Sequence, residues 1–261
     1  MKTTVNGINL RYEIAGEFGP TVLLVHGLGG SAAQWGGVVP LLSPVCRLVM
    51  PDLRGHGLSD KPPGPYVMKN FVDDLRALCA ALKIDRCVAV GASMSGAVVL
   101  QLAAESPELV QAVVPVGGFG VQSPVGKERM TQRAAAVEAG GMAGAVDAIL
   151  AGALGATTHA TNPGLVGLQR AALLENDPQA YAAATRAVVD IDVQQHLPRV
   201  KCPTLLVFGA EEKVAPMPAQ AALRKSIPHA SIRAIPHAGH LAFLERPGEF
   251  AAILMEFLAT L

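Results

Sequence analysis

The stretch VAVGASMSGAVV, residues 88–99, decides how the rest of the chain is interpreted. An apolar run typical of a buried strand ends at Gly91, a turn of small residues follows, and an apolar helical pattern begins directly afterwards. A serine at the apex of such a turn holds its hydroxyl above the sheet, and the next backbone N–H points to where a substrate oxyanion would form. The stretch therefore predicts a nucleophile elbow with Ser93 as nucleophile and the Met94 amide as an oxyanion donor.

The same turn contains a second serine, Ser95, at the position where the usual G-x-S-x-G pattern ends in glycine. Because the apolar run ends at Gly91, Ser95 would already lie in the first helical turn, away from the apex. We therefore expect Ser93 to be the nucleophile. The alternative is an ordinary junction between strand and helix that carries no chemistry.

A serine nucleophile needs a base, and the base needs an acid that orients it. Two later strand-like runs are followed by such residues. Glu211 and Glu212 come after the run at 203–209, and His237 and His240 come after the run at 231–236. The order along the chain is serine, acid, histidine. This is the order found in α/β-hydrolases, unlike that of chymotrypsin or subtilisin.

Three further motifs make the chain similar to α/β-hydrolase-fold enzymes along nearly its whole length. HGLGG at 26–30 resembles the family's oxyanion loop, PDLRGHGLSD at 51–60 resembles its D-x-R-G-x-G-x-S loop, and GH followed by LERP at 239–247 resembles the signature around its catalytic histidine. The resemblance implies that the Leu28 amide is the second oxyanion donor. It also implies that Gly27 lies beside the substrate.

The family's pattern selects among the candidate acids and bases. Its catalytic acid usually follows the glycine at the end of a strand by three residues, and Gly209 puts Glu212 in that position. A glutamate is one methylene longer than the commoner aspartate but offers the imidazole the same acceptor. Glu211 is the alternative acid and His237 the alternative base, since only His240 follows the glycine that the pattern requires.

Short apolar strands alternate with helical patterns over most of the chain. This alternation indicates an α/β fold, with a mostly parallel sheet flanked by helices on both faces. The expected elements are a hairpin over 3–15, strands over 22–25, 46–50, 112–116, 203–209 and 231–236, and helices over 71–83, 93–105, 217–227 and 249–261. Ligands of such sheets bind beyond the carboxyl ends of the strands, where all the candidate residues fall.

The alternation stops between residues 121 and 195, where helical patterns occur without strands. This segment looks like the helical cap that many α/β-hydrolases insert at that point. We therefore expect a core formed by 1–120 and 196–261 and a cap over 121–195, acting as a mobile lid that excludes water from an apolar cleft. The alternative is an alanine-rich helical segment with no role toward a ligand.

The composition of the chain indicates which kinds of partner and which cellular compartment to expect. The 261 residues, 51% of them apolar, can bury a sizeable core, and the equal numbers of basic and acidic residues predict neither a nucleic-acid nor a membrane partner. Four cysteines without framework spacing and the lack of an apolar leader predict a cytoplasmic protein with free thiols. No spacing typical of a metal site is present, so we expect neither metal nor cofactor, and a small-molecule substrate.

Three stretches resemble the 3-oxoadipate enol-lactonase branch of the family, whose members open a small acidic lactone ring: GPY at 64–66, VEAGGM at 137–142 and NDPQAYA at 176–182. The chain departs from that branch at 151–155, where AGALG replaces a common Trp-Phe pair.

Three residues have two possible interpretations at this stage. Arg129 and Arg133 could hold a substrate carboxylate or could be solvated helix charges. Trp35 could line the cleft and contact the substrate, or pack in the core.

The function predicted from these observations is hydrolysis of a small ester or lactone by two-step acyl transfer. His240 takes the proton of Ser93, Glu212 orients the imidazole, and the amides of Leu28 and Met94 hold the oxyanion. The alternatives are carbon–carbon bond hydrolysis of a dienoate, thioester hydrolysis and cofactor-free perhydrolysis. A ligand receptor of the same fold is the alternative outside enzymology.

Overall fold

The computed structural model describes residues 1–261. Its eight strands are β1 (Lys2–Val5), β2 (Ile8–Ala15), β3 (Thr21–Val25), β4 (Arg47–Pro51), β5 (Cys87–Ala92), β6 (Val110–Val116), β7 (Leu205–Gly209) and β8 (Ser231–Ile235). They form one sheet in the order β1-β2-β4-β3-β5-β6-β7-β8. Only the β1–β2 and β2–β4 pairs are antiparallel, so the predicted, mostly parallel sheet is confirmed.

Eleven helices accompany the sheet. They are α1 (Val39–Leu42), α2 (Met68–Ala81), α3 (Met94–Glu105), α4 (Pro124–Gly140), α5 (Val146–Ala153), α6 (Ala156–Thr161), α7 (Pro163–Leu174), α8 (Pro178–Val189), α9 (Met217–Ser226), α10 (Ala242–Glu245) and α11 (Pro247–Leu258). None of them is both long enough and apolar enough to span a bilayer.

Both faces of the sheet are buried, which is why its strands consist almost entirely of apolar residues. In β3, for example, Leu23 and Val25 face a cluster of 37 buried residues that includes side chains of α2, α3 and α9. Val22 and Leu24 point the opposite way, into a cluster of 36 that includes side chains of α10 and α11. Since successive residues of a strand alternate between faces, the two layers are of nearly equal size.

The five helices α4 to α8 lie between β6 and β7, with no strand among them. We call residues 121–195 the insert. Its two ends meet, because an antiparallel bridge joins Val121 to Asp192. The Gln122 amide donates to the Ile191 carbonyl at 2.9 Å on the inner side of this bridge. The chain therefore leaves and re-enters the core at a single place.

The helices of the insert begin and end where turn residues occur in the sequence. Pro163 and Pro178 occupy the first position of α7 and α8, where a missing N–H costs nothing. The side chains of Asn162 and Asp177 cap these helices, accepting from backbone amides at 3.1 and 2.8 Å. The helices themselves match the expectation, whereas the division into core and cap stays a prediction.

Candidate active site

Ser93 occupies the sharp turn between β5 and α3. Its backbone has φ 56° and ψ −120°, a conformation that residues other than glycine rarely adopt. The turn is held by the Ser93 amide, which donates to the Val116 carbonyl at 2.8 Å. It also requires a close approach between the first turn of α3 and the loop after β6, because a Cβ on Gly96 would lie 2.7 Å from the Cα of Gly118. The side chain of Ser93 is thereby presented at the carboxyl end of the sheet.

A chain of hydrogen bonds joins Ser93 to two residues from distant loops. His240 Nε2 lies 2.7 Å from Ser93 Oγ, and His240 Nδ1 lies 2.7 Å from Glu212 Oε2. Glu212 follows β7 and His240 follows β8, so neighbouring parallel strands bring them to one edge of the sheet. Both side chains are buried, with 9% and 5% of their surface exposed. The structure therefore brings together the three residues that the sequence predicted for acyl transfer.

The surroundings of Glu212 favour its ionised form. Its Oε1 accepts hydrogen bonds from the amides of Val214 at 2.6 Å and Ala215 at 3.1 Å. Burial alone would raise the pKa of Glu212, but the charge and hydrogen bond of His240 and these two amides together hold it below its ordinary value. An anionic Glu212 favours the tautomer in which His240 Nδ1 carries the proton and Nε2 is free to accept one.

Gly117, at the end of β6, lies directly against this pair. It has φ 59°, and a Cβ there would lie 2.8 Å from His240 Nδ1 and 3.0 Å from Glu212 Oε2. A larger residue would push the imidazole away from the carboxylate. This role of Gly117 does not follow from any local sequence pattern.

The alternative candidates lie in different surroundings. Ser95 is fully buried and donates to the His26 carbonyl at 2.5 Å. Glu211 accepts hydrogen bonds from the amide and hydroxyl of Thr157, and His237 is exposed. None of the three contacts the chain of hydrogen bonds that contains Ser93.

The two amides predicted to hold an oxyanion, those of Leu28 and Met94, belong to residues that line a cavity beside Ser93. Neither amide donates to any backbone or side-chain acceptor of the protein. The loop of Leu28 is anchored from beneath by the fully buried His26, whose Nε2 accepts from the Leu53 amide at 2.9 Å. Both N–H groups are therefore free to bind an oxygen atom of a ligand.

The two other residues predicted to contact substrate have different outcomes. Gly27 does line the cavity. Trp35 does not, so its predicted contact with substrate is wrong: it is fully buried and stacks on Phe243, with ring centroids 4.0 Å apart, and packs near Phe250. The large ring is stabilised by this packing, although its buried Nε1 has no hydrogen-bond partner.

The cavity measures about 90 Å³ and has two unlike walls. One wall, the core wall, contains Ser93 and His240 from the loops at the sheet edge. The other, the insert wall, is largely apolar but includes four polar side chains, those of Gln122, Arg129, Arg133 and Gln169. A buried water needs roughly 10–15 Å³, so the space suits a small substrate.

Glu245 connects the insert to the loop of His240, a role that sequence reasoning missed. Only 4% of its surface is exposed. One carboxylate oxygen accepts from the Gly239 amide at 2.8 Å, and the other accepts from the Gly155 amide at 2.8 Å and the Thr158 hydroxyl at 2.5 Å. The available signal was its place in the LERP motif after His240.

Metal-binding side chains are dispersed in this structure. No group of three or more histidines, cysteines, aspartates or glutamates is close enough to hold an ion. The four cysteines are all free thiols. The arrangement beside Ser93 thus offers a nucleophile, a base, an acid and two free amides from the chain itself.

Comparison with known proteins identifies the family to which this fold belongs. A sequence model of the alpha/beta hydrolase fold matches residues 20–247. The enol-lactonase of Burkholderia xenovorans LB400 superposes with a TM-score of 0.94 at 28% identity, covering 99% of this chain and 100% of its own. A thermophilic esterase from Thermogutta terrifontis gives 0.92 at 28% identity, with 99% and 96% covered. A protein of Stutzerimonas stutzeri (strain A1501), provisionally named carbamate hydrolase RutD, is 28% identical over 96% of this chain and 97% of its own.

Proposed function

Because this chain belongs to the alpha/beta hydrolase fold family, we propose that it is a serine hydrolase that cleaves a small ester or lactone through an acyl-enzyme on Ser93. The observation that carries the proposal is the continuous set of hydrogen bonds from Ser93 through His240 to Glu212, at 2.7 Å each. A nucleophile, a base and an orienting carboxylate in this contact are what acyl transfer requires.

In the first step, His240 Nε2 takes the proton of Ser93 Oγ as the oxygen attacks the substrate carbonyl carbon. The carbonyl π electrons move onto oxygen, and the amides of Leu28 and Met94 donate to the oxyanion. Glu212 remains ionised and stabilises the imidazolium. Collapse of the tetrahedral intermediate breaks the bond to the leaving oxygen, which receives the proton from His240.

In the second step, a water molecule replaces the serine hydroxyl. His240 takes a proton from the water as its oxygen attacks the acyl carbon, and the same two amides hold the second oxyanion. Collapse returns the proton to Ser93 Oγ and frees the acid. With a lactone, the leaving hydroxyl stays attached to the acyl group, so a single product carries both ends of the opened ring.

Esters and lactones are favoured over other carbonyl compounds by likeness to proteins of known name. The enol-lactonase and the esterase both resemble this chain over at least 99% of its length. The carbamate hydrolase named above makes carbamate esters the natural third class to assay. All three classes present a carbonyl carbon with an oxygen leaving group, so one mechanism serves them.

The insert acts, in this proposal, as a cap over the site. It supplies most of the apolar lining of the cavity, including Met130, Ile149 and Leu150. Walls of this kind exclude water, which strengthens the electrostatic interactions that stabilise an oxyanion. The joined ends of the insert at Val121 and Asp192 suit a segment that moves as one body relative to the core.

A fluorophosphonate probe followed by peptide mapping tests the proposal. We expect one adduct, on Ser93, in the parent protein and none in Ser93→Ala, with Ser226→Ala on α9 as a control that labels normally. A panel of short acyl esters, lactones and carbamates then identifies the bond that is cleaved. A folded protein that neither labels nor turns over any of these compounds would contradict the proposal and favour a ligand receptor.

A further inference from the structure

A pair of glutamines separates the cavity beside Ser93 from a larger groove on the surface. We call this space the side groove. It measures about 590 Å³ and runs between α7 and the loops that follow β3 and β4. Gln34 and Gln169 are the only residues that line both the cavity and the side groove. The two spaces therefore adjoin at this one place.

The two glutamines, which together we call the gate, are held by a single hydrogen bond. Gln34 Nε2 donates to Gln169 Oε1 at 3.2 Å, the long end of the ordinary range. Gln34 Oε1 is buried and has no partner in the protein, which destabilises the closed arrangement. Nearby, the side-chain amide of Asn176 donates to the Gly29 carbonyl at 3.1 Å. Both of these bonds between insert and core join neutral groups.

The insert is fastened by charged groups on its other side, at the start of α6. Glu245 accepts hydrogen bonds from the Gly155 amide at 2.8 Å and the Thr158 hydroxyl at 2.5 Å. Glu211 accepts from the amide and hydroxyl of Thr157. Hydrogen bonds to an ionised acceptor are roughly twice as strong as those between neutral groups. The gap between insert and core therefore opens more readily at the gate than at α6.

The lining of the side groove suits an uncharged, apolar chain. Its charges balance, because it contains two cationic and two anionic side chains, those of Arg11, Lys61, Asp52 and Glu175. A balanced lining gives no net attraction for an ion. Leu58 and Leu168 also line the groove, and 65% and 68% of their surfaces are exposed. An alkyl chain that covered these two leucines would remove apolar surface from water, which stabilises the bound state.

We propose that the side groove is a second substrate subsite, which takes an uncharged alkyl chain too long for the cavity, and that Gln34 and Gln169 determine the chain length that the protein accepts. A chain that enters the groove breaks the bond between the two glutamines and passes between them. The inference rests on the proposed function, because the carbonyl of the same substrate lies at Ser93.

Three esters test the subsite: ethyl acetate as the short reference, octyl acetate with a long alcohol and ethyl octanoate with a long acyl group. The measured quantity is kcat/KM of each long ester divided by that of ethyl acetate. Ala172 lies on α7, is exposed and lines the side groove, so Ala172→Trp fills the groove. Because the gate lies to one side of Ser93, this change should lower the ratio for one of the two long esters, by roughly 10- to 100-fold.

The matched control is Ala171→Trp. Ala171 is the exposed neighbour of Ala172 on the same helix and lines neither the cavity nor the side groove. The variant therefore adds the same ring outside the groove. Both ratios should stay within about twofold of the parent's.

Substitutions at the gate should act in the opposite direction. Gln34→Ala and Gln169→Ala each remove the hydrogen bond that an entering chain must break, so each should raise the ratio that Ala172→Trp lowers, by roughly 3- to 10-fold. Gln132→Ala is the control, since Gln132 is a glutamine on α4 that bonds Glu128 at the surface. Its ratios should equal the parent's.

A binding measurement separates the subsite from the reaction. Methyl octyl ketone and methyl ethyl ketone carry the carbonyl group and the chain but no bond that can be hydrolysed. In Ser93→Ala, the octyl ketone should raise the thermal midpoint at a lower concentration than the ethyl ketone. Adding Ala172→Trp should abolish this preference, whereas adding Ala171→Trp should preserve it.

Two results would overturn the inference while leaving the proposed function intact. One is an Ala172→Trp variant, folded by circular dichroism, that keeps the parent's ratios and ketone preference; if it does not fold, Ala172→Leu carries the same test. The other is a pair of gate variants whose ratios equal or fall below the parent's. Failure of the proposed function differs, since Ser93 then remains unlabelled and no ester is cleaved, whereas the ketone preference still responds to Ala172→Trp.

Discussion

The two walls of the cavity differ in how their polar groups are used. On the core wall, Ser93 and His240 are fully engaged with each other and, through His240, with Glu212. On the insert wall, Arg129 and Arg133 line the same space and have no carboxylate partner. In the proposed function, the hydrogen-bonded groups of the core wall carry the chemistry. The guanidinium groups of the insert wall, by contrast, have no anionic partner within the protein.

The largest effect expected from this contrast is on the core wall. Ser93→Ala should lower kcat by about four orders of magnitude or more while leaving the thermal midpoint nearly unchanged, because the hydroxyl is partly exposed at the apex of its turn. Ester turnover and a thermal melt measure the two quantities. Ser95→Ala should show the opposite pattern, with turnover retained and stability lowered, since it loses the bond to the His26 carbonyl. Activity in the first variant and none in the second would invert the assignment.

Glu212 should come next in the size of its effect. Glu212→Gln keeps the shape but removes the charge that stabilises the imidazolium, so kcat should fall by about 10³- to 10⁴-fold. Glu211→Gln is the matched control. Its side chain bonds Thr157 on the insert and has no contact with His240, so its kcat should stay within about threefold of the parent. Equal losses in both variants would place the acid elsewhere.

Glu245 joins the two walls. Its substitution should have a smaller effect on activity than that of Glu212. In Glu245→Gln, a side-chain NH₂ group would face a backbone N–H on one side, so one of its bonded amides loses its acceptor. We expect the free energy of unfolding to fall by about 1–3 kcal/mol and kcat/KM by roughly tenfold. Urea unfolding and steady-state kinetics measure these quantities. An unchanged rate in a destabilised variant would show that Glu245 supports the fold without positioning His240.

The smallest effect is a pH dependence of stability. Since the pKa of Glu212 is held below its ordinary value of 4.5, its ionised form contributes stability above that pH, and the contribution disappears as pH falls through the lowered pKa. The parent should therefore lose stability below pH 4.5 more steeply than Glu212→Gln, whose side chain cannot ionise. Urea unfolding of both proteins in steps from pH 6 to pH 3 provides the comparison. Parallel curves would contradict the assigned environment of Glu212.

The core wall was more predictable from sequence than the insert wall. Ser93 and His240 sit in short motifs whose turn geometry leaves few positions for the side chain, and Glu212 follows from its spacing after Gly209. Helix limits were less exact: the last helix begins at Pro247, two residues before the expected Glu249, because proline suits the first helical position.

Residues whose direction depends on packing between distant segments were not predictable in the same way. The sequence was consistent with Trp35 either lining the cleft or packing in the core, because both surroundings are apolar. For Arg129 and Arg133 the sequence favoured solvated positions, since the direction of a side chain on α4 is fixed only by how the insert packs on the sheet. Glu245 bonds Gly155, 90 residues away, and no local pattern reports such a contact.

The three hydrogen bonds of Glu245 link the insert to the loop of His240, so neither segment can move independently of the other while the bonds are intact. An insert that lifts at the junction of α5 and α6 must either release Gly155 and Thr158 or pull on Gly239, the residue next to His240. Only the second course would disturb the distance between the imidazole and Ser93, because the first leaves the bond between Glu245 and Gly239 intact. In the proposed function, opening of the insert and activation of the nucleophile would therefore be linked through the carboxylate of Glu245.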